Sequence, residues 1–118
     1  MRQAGILAAA GLIALEQGPQ KLANDHANAK FLAEGLARVG GIKIASAKVQ
    51  TNILMCEVSG TGMTSSELSQ KLAARNVLAS GFGPQLIRFV TNLDVSREQC
   101  AESLDIIAST YGAKAQRV

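Results

Sequence analysis

Residues 81–96, GFGPQLIRFVTNLDVS, constrain the fold more than any other stretch of the chain. A Gly/Pro turn leads into a short apolar run, residues 86–91, whose composition suits a pleated, half-buried surface. Side chains along a strand alternate between its faces, so Leu86, Arg88 and Val90 share one face while Ile87, Phe89 and Thr91 share the other. Arg88 keeps its charge at any physiological pH and must meet water or an acidic partner. Two readings are open. Arg88 is either a fork at a pocket wall, gripping a carboxylate or phosphate through two parallel hydrogen bonds, or an edge-strand arginine lying over apolar surface with its head in solvent.

The chain around this strand has 118 residues, enough for one compact domain and too few for two ordinary ones. Hydrophobic residues make up 47% and aromatics only 3%, with no Trp, so the core must be built from Ala, Leu, Ile and Val. The net charge of +3 is dispersed, without a Lys/Arg run or an aromatic stacking platform, which argues against nucleic acid as a partner. Cys56 and Cys100 lie far apart without metal-type spacing and read as buried small hydrophobes of a reduced, cytoplasmic protein. The apolar run after Met1 and Arg2 imitates a secretory signal, but Glu16 and Gln17 stand where small cleavage-site residues belong. Twelve residues are also too few to span a bilayer as a helix, so a buried helix and no membrane are expected.

In chain order, residues 3–17 carry apolar or small side chains on every side, the pattern of a helix surrounded by protein. A domain of this size can hardly surround it, so something outside the chain is expected to pack there. Gly18 is expected to end this helix and Pro19 to open the next. Residues 19–39 then read as an amphipathic helix with Leu22, Ala29, Ala33 and Leu36 on its apolar stripe. His26 sits at the border of that stripe, as a hydrogen-bonded boundary histidine, and charged residues such as Lys21, Asp25 and Lys30 lie elsewhere.

After Gly40 and Gly41 the period changes. Residues 42–45 are a short strand candidate, and residues 52–58 a stronger one, apolar enough to be covered on both faces. Gly60 and Gly62 are turn punctuation, because no lysine follows in the position a phosphate-binding loop requires. Thr64 with Glu67 forms a capping-box signature for a helix reaching about residue 75. A strand over residues 77–80, the opening strand, a second capping box at Ser96 and Gln99, and a helix over residues 97–111 burying Cys100, Leu104, Ile107 and Tyr111 complete the set. The order predicts an α+β fold: a small, mostly antiparallel sheet covered by helices on one face, preceded by the apolar N-terminal helix. Residues 1–17 form the interface helix, residues 18–112 the domain, and residues 113–118 a frayed tail.

Chemistry is sparse. With one His, no paired Cys/His set, no nucleophile elbow and no lysine in a desolvated setting, the chain alone makes a poor enzyme. Asp94 reads as an acid favouring the helix N-terminus that follows it rather than as a catalytic group.

Four segments taken together carry a resemblance: residues 1–16 (MRQAGILAAAGLIALE), 25–37 (DHANAKFLAEGLA), 49–53 (VQTNI) and 82–96 (FGPQLIRFVTNLDVS). In this order they resemble the carboxy-terminal part of the low-specificity threonine aldolases, which are pyridoxal-phosphate enzymes of the aspartate-aminotransferase fold type. The resemblance implies a lyase that cleaves β-hydroxy-α-amino acids such as threonine or allo-threonine to glycine and an aldehyde. It also implies a fragment, because Met1 looks like an internal residue of the family's GGGMRQAG run. The large domain with the Schiff-base lysine would lie upstream, the intact enzyme would be a homo-oligomer, dimer or tetramer, and the isolated chain would be inactive. Arg88 matches the family arginine that grips the substrate carboxylate, and Arg2 matches one near the cofactor phosphate. Asn92 departs from the pattern, since His is frequent there in relatives. The alternative is a stand-alone, non-catalytic α+β module for amino-acid binding or oligomerisation.

Overall fold

The computed structural model describes residues 2–45 and 48–110. Among them the chain runs α1 (Ala4–Leu36), β1 (Lys43–Ile44), β2 (Ile53–Glu57), a 3₁₀ turn (Ser59–Thr61), α2 (Ser65–Ala73), β3 (Ser80–Phe82), β4 (Leu86–Val90) and α3 (Arg97–Thr110). Tyr111 and the expected tail, residues 113–118, lie outside the described residues.

The two expected N-terminal helices are one: α1 runs 33 residues straight through Gly18 and Pro19. A proline inside a helix removes one main-chain donor and leaves the carbonyl four residues back without its bond. Here that carbonyl belongs to Leu15, itself 76% exposed, so water can serve it. The border drawn between residues 17 and 18 therefore has no counterpart as a break in the helix. Burial begins later, at Asp25, and continues through Asn28, Ala29, Leu32, Ala33 and Leu36 at helical spacing. Leu22, expected on the stripe, is exposed, while Asp25, expected off it, is buried.

The four strands are antiparallel in the order β1-β2-β4-β3, which puts β2 and β4 at the centre. Leu54 pairs with Phe89 and Cys56 with Ile87, and these four side chains form the covered face. They meet Leu36 of α1, Leu68 and Leu72 of α2, and Cys100 and Ile107 of α3 in one core. All three helices lie on this side, so β2 is covered on one face only and the expectation of two covered faces fails. Ile53 is 46% exposed, and Met55 and Glu57 are half-buried.

Local chemistry explains the element ends. Thr64 and Glu67 form the reciprocal capping box, with Glu67 N–H donating to Thr64 Oγ1 at 3.2 Å and Thr64 N–H to Glu67 Oε2 at 2.8 Å. At the other end of α2, Asn76 takes a left-handed conformation (φ 63°), and Val77 N–H donates back to the Leu72 carbonyl at 3.0 Å. That helix-terminating loop keeps Val77 out of the sheet, so the expected strand at residues 77–80 moves forward to Ser80–Phe82. Gly41 and Gly60 pass backbone against backbone: a Cβ on Gly41, whose φ is +86°, would lie 2.7 Å from the Gly60 carbonyl oxygen. Their contact joins the end of α1 to the end of β2.

Candidate functional site

Arg88 sits in the middle of β4, a central strand, flanked by Met55 of β2 and Ser80 of β3. The expected alternation holds, with Ile87 and Phe89 buried and Leu86, Arg88 and Val90 on the opposite face. That face carries no helix. Around Arg88 it presents Ile53, Met55, Leu86, Val90 and Phe82, of which Ile53, Val90 and Phe82 are 46%, 43% and 60% exposed. The arginine is half-buried among them, and its Nε is enclosed without a hydrogen-bond partner among the described residues.

An enclosed N–H of a guanidinium that donates to nothing loses its water and gains no replacement, at a cost of about 1–3 kcal/mol or more. Nε and the adjacent Nη present two parallel donors, the pattern that fits the two oxygens of a carboxylate. The side chain therefore has its apolar stem covered and one donor waiting. Two clefts among the described residues, one beside Asn28 and Arg97 and one beside Phe89 and Ile106, do not include Arg88.

The other sequence candidates are scattered. Arg2 is exposed in the turn before α1, next to Gln3, whose φ of 53° is left-handed. From the start of α1 to its first buried residue, Asp25, the helix runs roughly 30 Å at 1.5 Å per residue, so Arg2 and Arg88 share no site built by this chain. His26 is half-buried. Asp94 is exposed in the turn after β4, where its N–H donates to Asn92 Oδ1 at 2.9 Å. Capping of α3 falls to Ser96 and Gln99, whose reciprocal bonds measure 2.9 and 3.2 Å. Asn92, in place of the frequent His, thus holds a turn.

Both cysteines are buried. Burial pushes the Cys56 thiol up to about 12, and burial also raises Cys100, so neither is a ready nucleophile. Among the described residues no group of three metal-ligating side chains occurs, and no helix is long and apolar enough to cross a membrane.

Residues 1–59 match the profile of the Beta-eliminating lyase family. The chain belongs to that family. As a beta-eliminating lyase chain it is 42% identical over 102 residues to the low specificity L-threonine aldolase of Escherichia coli (strain K12), covering 86% of this chain and 28% of that protein. It is 36% identical over 97 residues to the low-specificity L-threonine aldolase 1 of Arabidopsis thaliana, covering 81% of this chain and 27% of that protein. It therefore spans little more than a quarter of the curated relatives it matches. Among solved structures, a NifS-like protein superposes with a TM-score of 0.71 at 17% identity, over 81% of this chain and 29% of that one. The fold is shared with the fold-type I pyridoxal-phosphate enzymes, and its α+β architecture is the one the order of elements predicts.

Pyridoxal phosphate needs a desolvated lysine, and the beta-eliminating lyase chain shows none among its described residues. Lys21, Lys30, Lys43, Lys48 and Lys71 are all exposed, while Lys114 lies outside the described residues. The residues in hand do not fit covalent attachment of that cofactor. What they fit is the grip on an anion, through the unpaired Nε of Arg88. Sequence reasoning reached Arg88 through strand parity, but it missed the burial of Asp25, although Asp25 stands four residues before Ala29 on the same face of α1.

Proposed function

We propose that this chain is the carboxylate-gripping part of a pyridoxal-phosphate-dependent aldehyde-lyase of the threonine aldolase type. The longer protein would cleave β-hydroxy-α-amino acids, threonine or allo-threonine, to glycine and an aldehyde. One observation carries the reading: Arg88 stands on a sheet face without a helix, between Met55 and Ser80 and beside Leu86 and Val90, with its Nε enclosed and unpaired among the described residues. In a relative of the L-threonine aldolases, the anion that completes such a fork is the α-carboxylate of the substrate.

Arg88 donates from Nε and one Nη to the two carboxylate oxygens and so fixes the orientation of the Cα–Cβ bond to be broken. Ile53, Met55, Leu86 and Val90 keep water from the stem of the arginine once the missing domain covers them, which strengthens the ion pair. Pyridoxal phosphate would be held by the part of the longer protein that carries the lysine, and would supply the electron sink for the carbanion chemistry. Arg2 is proposed to help bind the cofactor phosphate near the interface of a homo-oligomer.

The competing reading is a non-catalytic module, favoured by the exposure of every described lysine. Acetaldehyde production separates the two. The isolated chain, supplied with pyridoxal phosphate and L-threonine, is expected to make none, and the same chain within the reading frame extended upstream of Met1 is expected to make it. Turnover by the isolated chain, or an upstream frame with no lysine-bearing domain, overturns the proposal.

A further inference from the structure

A cleft of about 480 Å³ lies where the middle of α1 meets the turn from β4 into α3, with Asp25, Asn28, Asn92 and Arg97 in its wall. Asp25 is only 9% exposed. Its main-chain carbonyl accepts from Thr91 Oγ1 at 2.6 Å, yet its carboxylate has no hydrogen bond or ion pair among the described residues. Its oxygens still reach the water of the cleft, since Arg88 Nε is the one enclosed, unpartnered side-chain atom among the described residues, so the carboxylate is open to a cationic or hydrogen-bonding ligand. The neighbouring groups do not occupy it. Asn28 Nδ2 donates to the Val95 carbonyl at 3.3 Å, and Lys21 Nζ to Gln17 Oε1 at 3.1 Å. Arg97 lies over the Phe31 ring at 4.5 Å, and its N–H donors find no acceptor among the described residues.

The wall thus holds both signs of charge without pairing them. A lone cation in the cleft would meet Asp25 but also Lys21 and Arg97. A lone anion would meet Arg97 and the N-terminal end of the 14-residue α3, but also the Asp25 carboxylate. A small molecule carrying both charges satisfies all of them. We propose that this cleft binds a free α-amino acid as its zwitterion, the ammonium on Asp25 and the carboxylate on Arg97 at the start of α3. The amide side chains lining the cleft complement the polar ends, and Leu93 and Val95 add apolar surface beside them. Arg88 takes no part, so this inference goes beyond the proposed function and does not depend on it.

Glycine, methylammonium and acetate, titrated separately into the full chain and followed by NMR, test it. Glycine is expected to shift the side-chain amide of Asn28 and the guanidinium of Arg97, and to bind at least about tenfold tighter than either half-molecule. Asp25→Asn is expected to reduce glycine affinity to the level of acetate, and Arg97→Ala to that of methylammonium. Asn is isosteric with Asp and no ion pair is lost, so the thermal midpoint of Asp25→Asn without ligand should not fall below the wild type. Glycine binding no tighter than methylammonium would make the cleft a cation socket only, and binding equal to acetate an anion site only; either result overturns the proposal, as does unchanged affinity in Asp25→Asn. Shifts confined to Met55 and Leu86 would place glycine on Arg88, which refutes this cleft and leaves the Arg88 reading standing.

Discussion

Arg88 and Asp25 sit in related settings at the scale of single residues: Arg88 Nε is enclosed without a hydrogen-bond partner, and the carboxylate of Asp25, a residue only 9% exposed, has none either among the described residues. Cys56 shows the opposite case, a group kept neutral by the same kind of enclosure. Its thiol is raised from 9.0 to about 12 by burial, so the unfolded chain ionises first as pH climbs. A raised folded-state value means that the stabilisation is complete below pH 9 and is lost as pH rises through about 12. The expected outcome is slow reaction of native Cys56 with a thiol reagent at pH 8, and prompt reaction once denaturant is added. Rapid labelling of the native chain would contradict its burial. The sequence made the two faces of β4 readable because strand parity is rigid. It did not reveal Asp25, because charge was read as a sign of solvent, whereas the position is set by the register of α1 on Thr91 and Asn28 on Val95.

Elements were legible where their ends carry chemistry. Thr64 and Glu67 announce α2, and the structure closes their capping box. Thr64→Ala should cost about 1 kcal/mol at neutral pH, measured by urea denaturation. The Glu67 carboxyl is held below 4.5 first by the Thr64 N–H, then by the Thr64 hydroxyl and by Lys71. A depressed value means that its stabilising contribution is present above pH 4.5 and is lost as pH falls through the lowered value. The difference between Thr64→Ala and wild type should accordingly narrow in acid, and a difference that grows there would contradict the capping box. Elements were misread where a local signal lost to its surroundings. Gly18 and Pro19 look like a stop and a start, yet α1 continues because exposure lets water satisfy the orphaned Leu15 carbonyl. The strand expected at residues 77–80 shifts because Asn76 turns left-handed and ties Val77 to α2, a choice that Val77, Leu78 and Ala79 do not themselves encode.

As a whole, the molecule measures 52 × 29 × 26 Å, and its long axis matches the length of about 50 Å that a helix of 33 residues reaches. The first half of α1, with Ile6, Leu7, Leu12, Ile13 and Leu15 all more than half exposed, projects from the domain, and the sheet face around Arg88 is bare. The fold class and Arg88 were readable from periodicity and strand parity, whereas the apolar pattern of these exposed surfaces does not say what, if anything, covers them. The chain belongs to the beta-eliminating lyase family and covers 28% of the E. coli relative. The central claim is that Arg88 grips the substrate carboxylate. Its most direct test is steady-state kinetics of Arg88→Lys with L-threonine in the longer, lysine-bearing protein proposed above. A point charge in place of the two-donor fork is predicted to lower kcat/KM by about a hundredfold, and kinetics indistinguishable from wild type would contradict the claim.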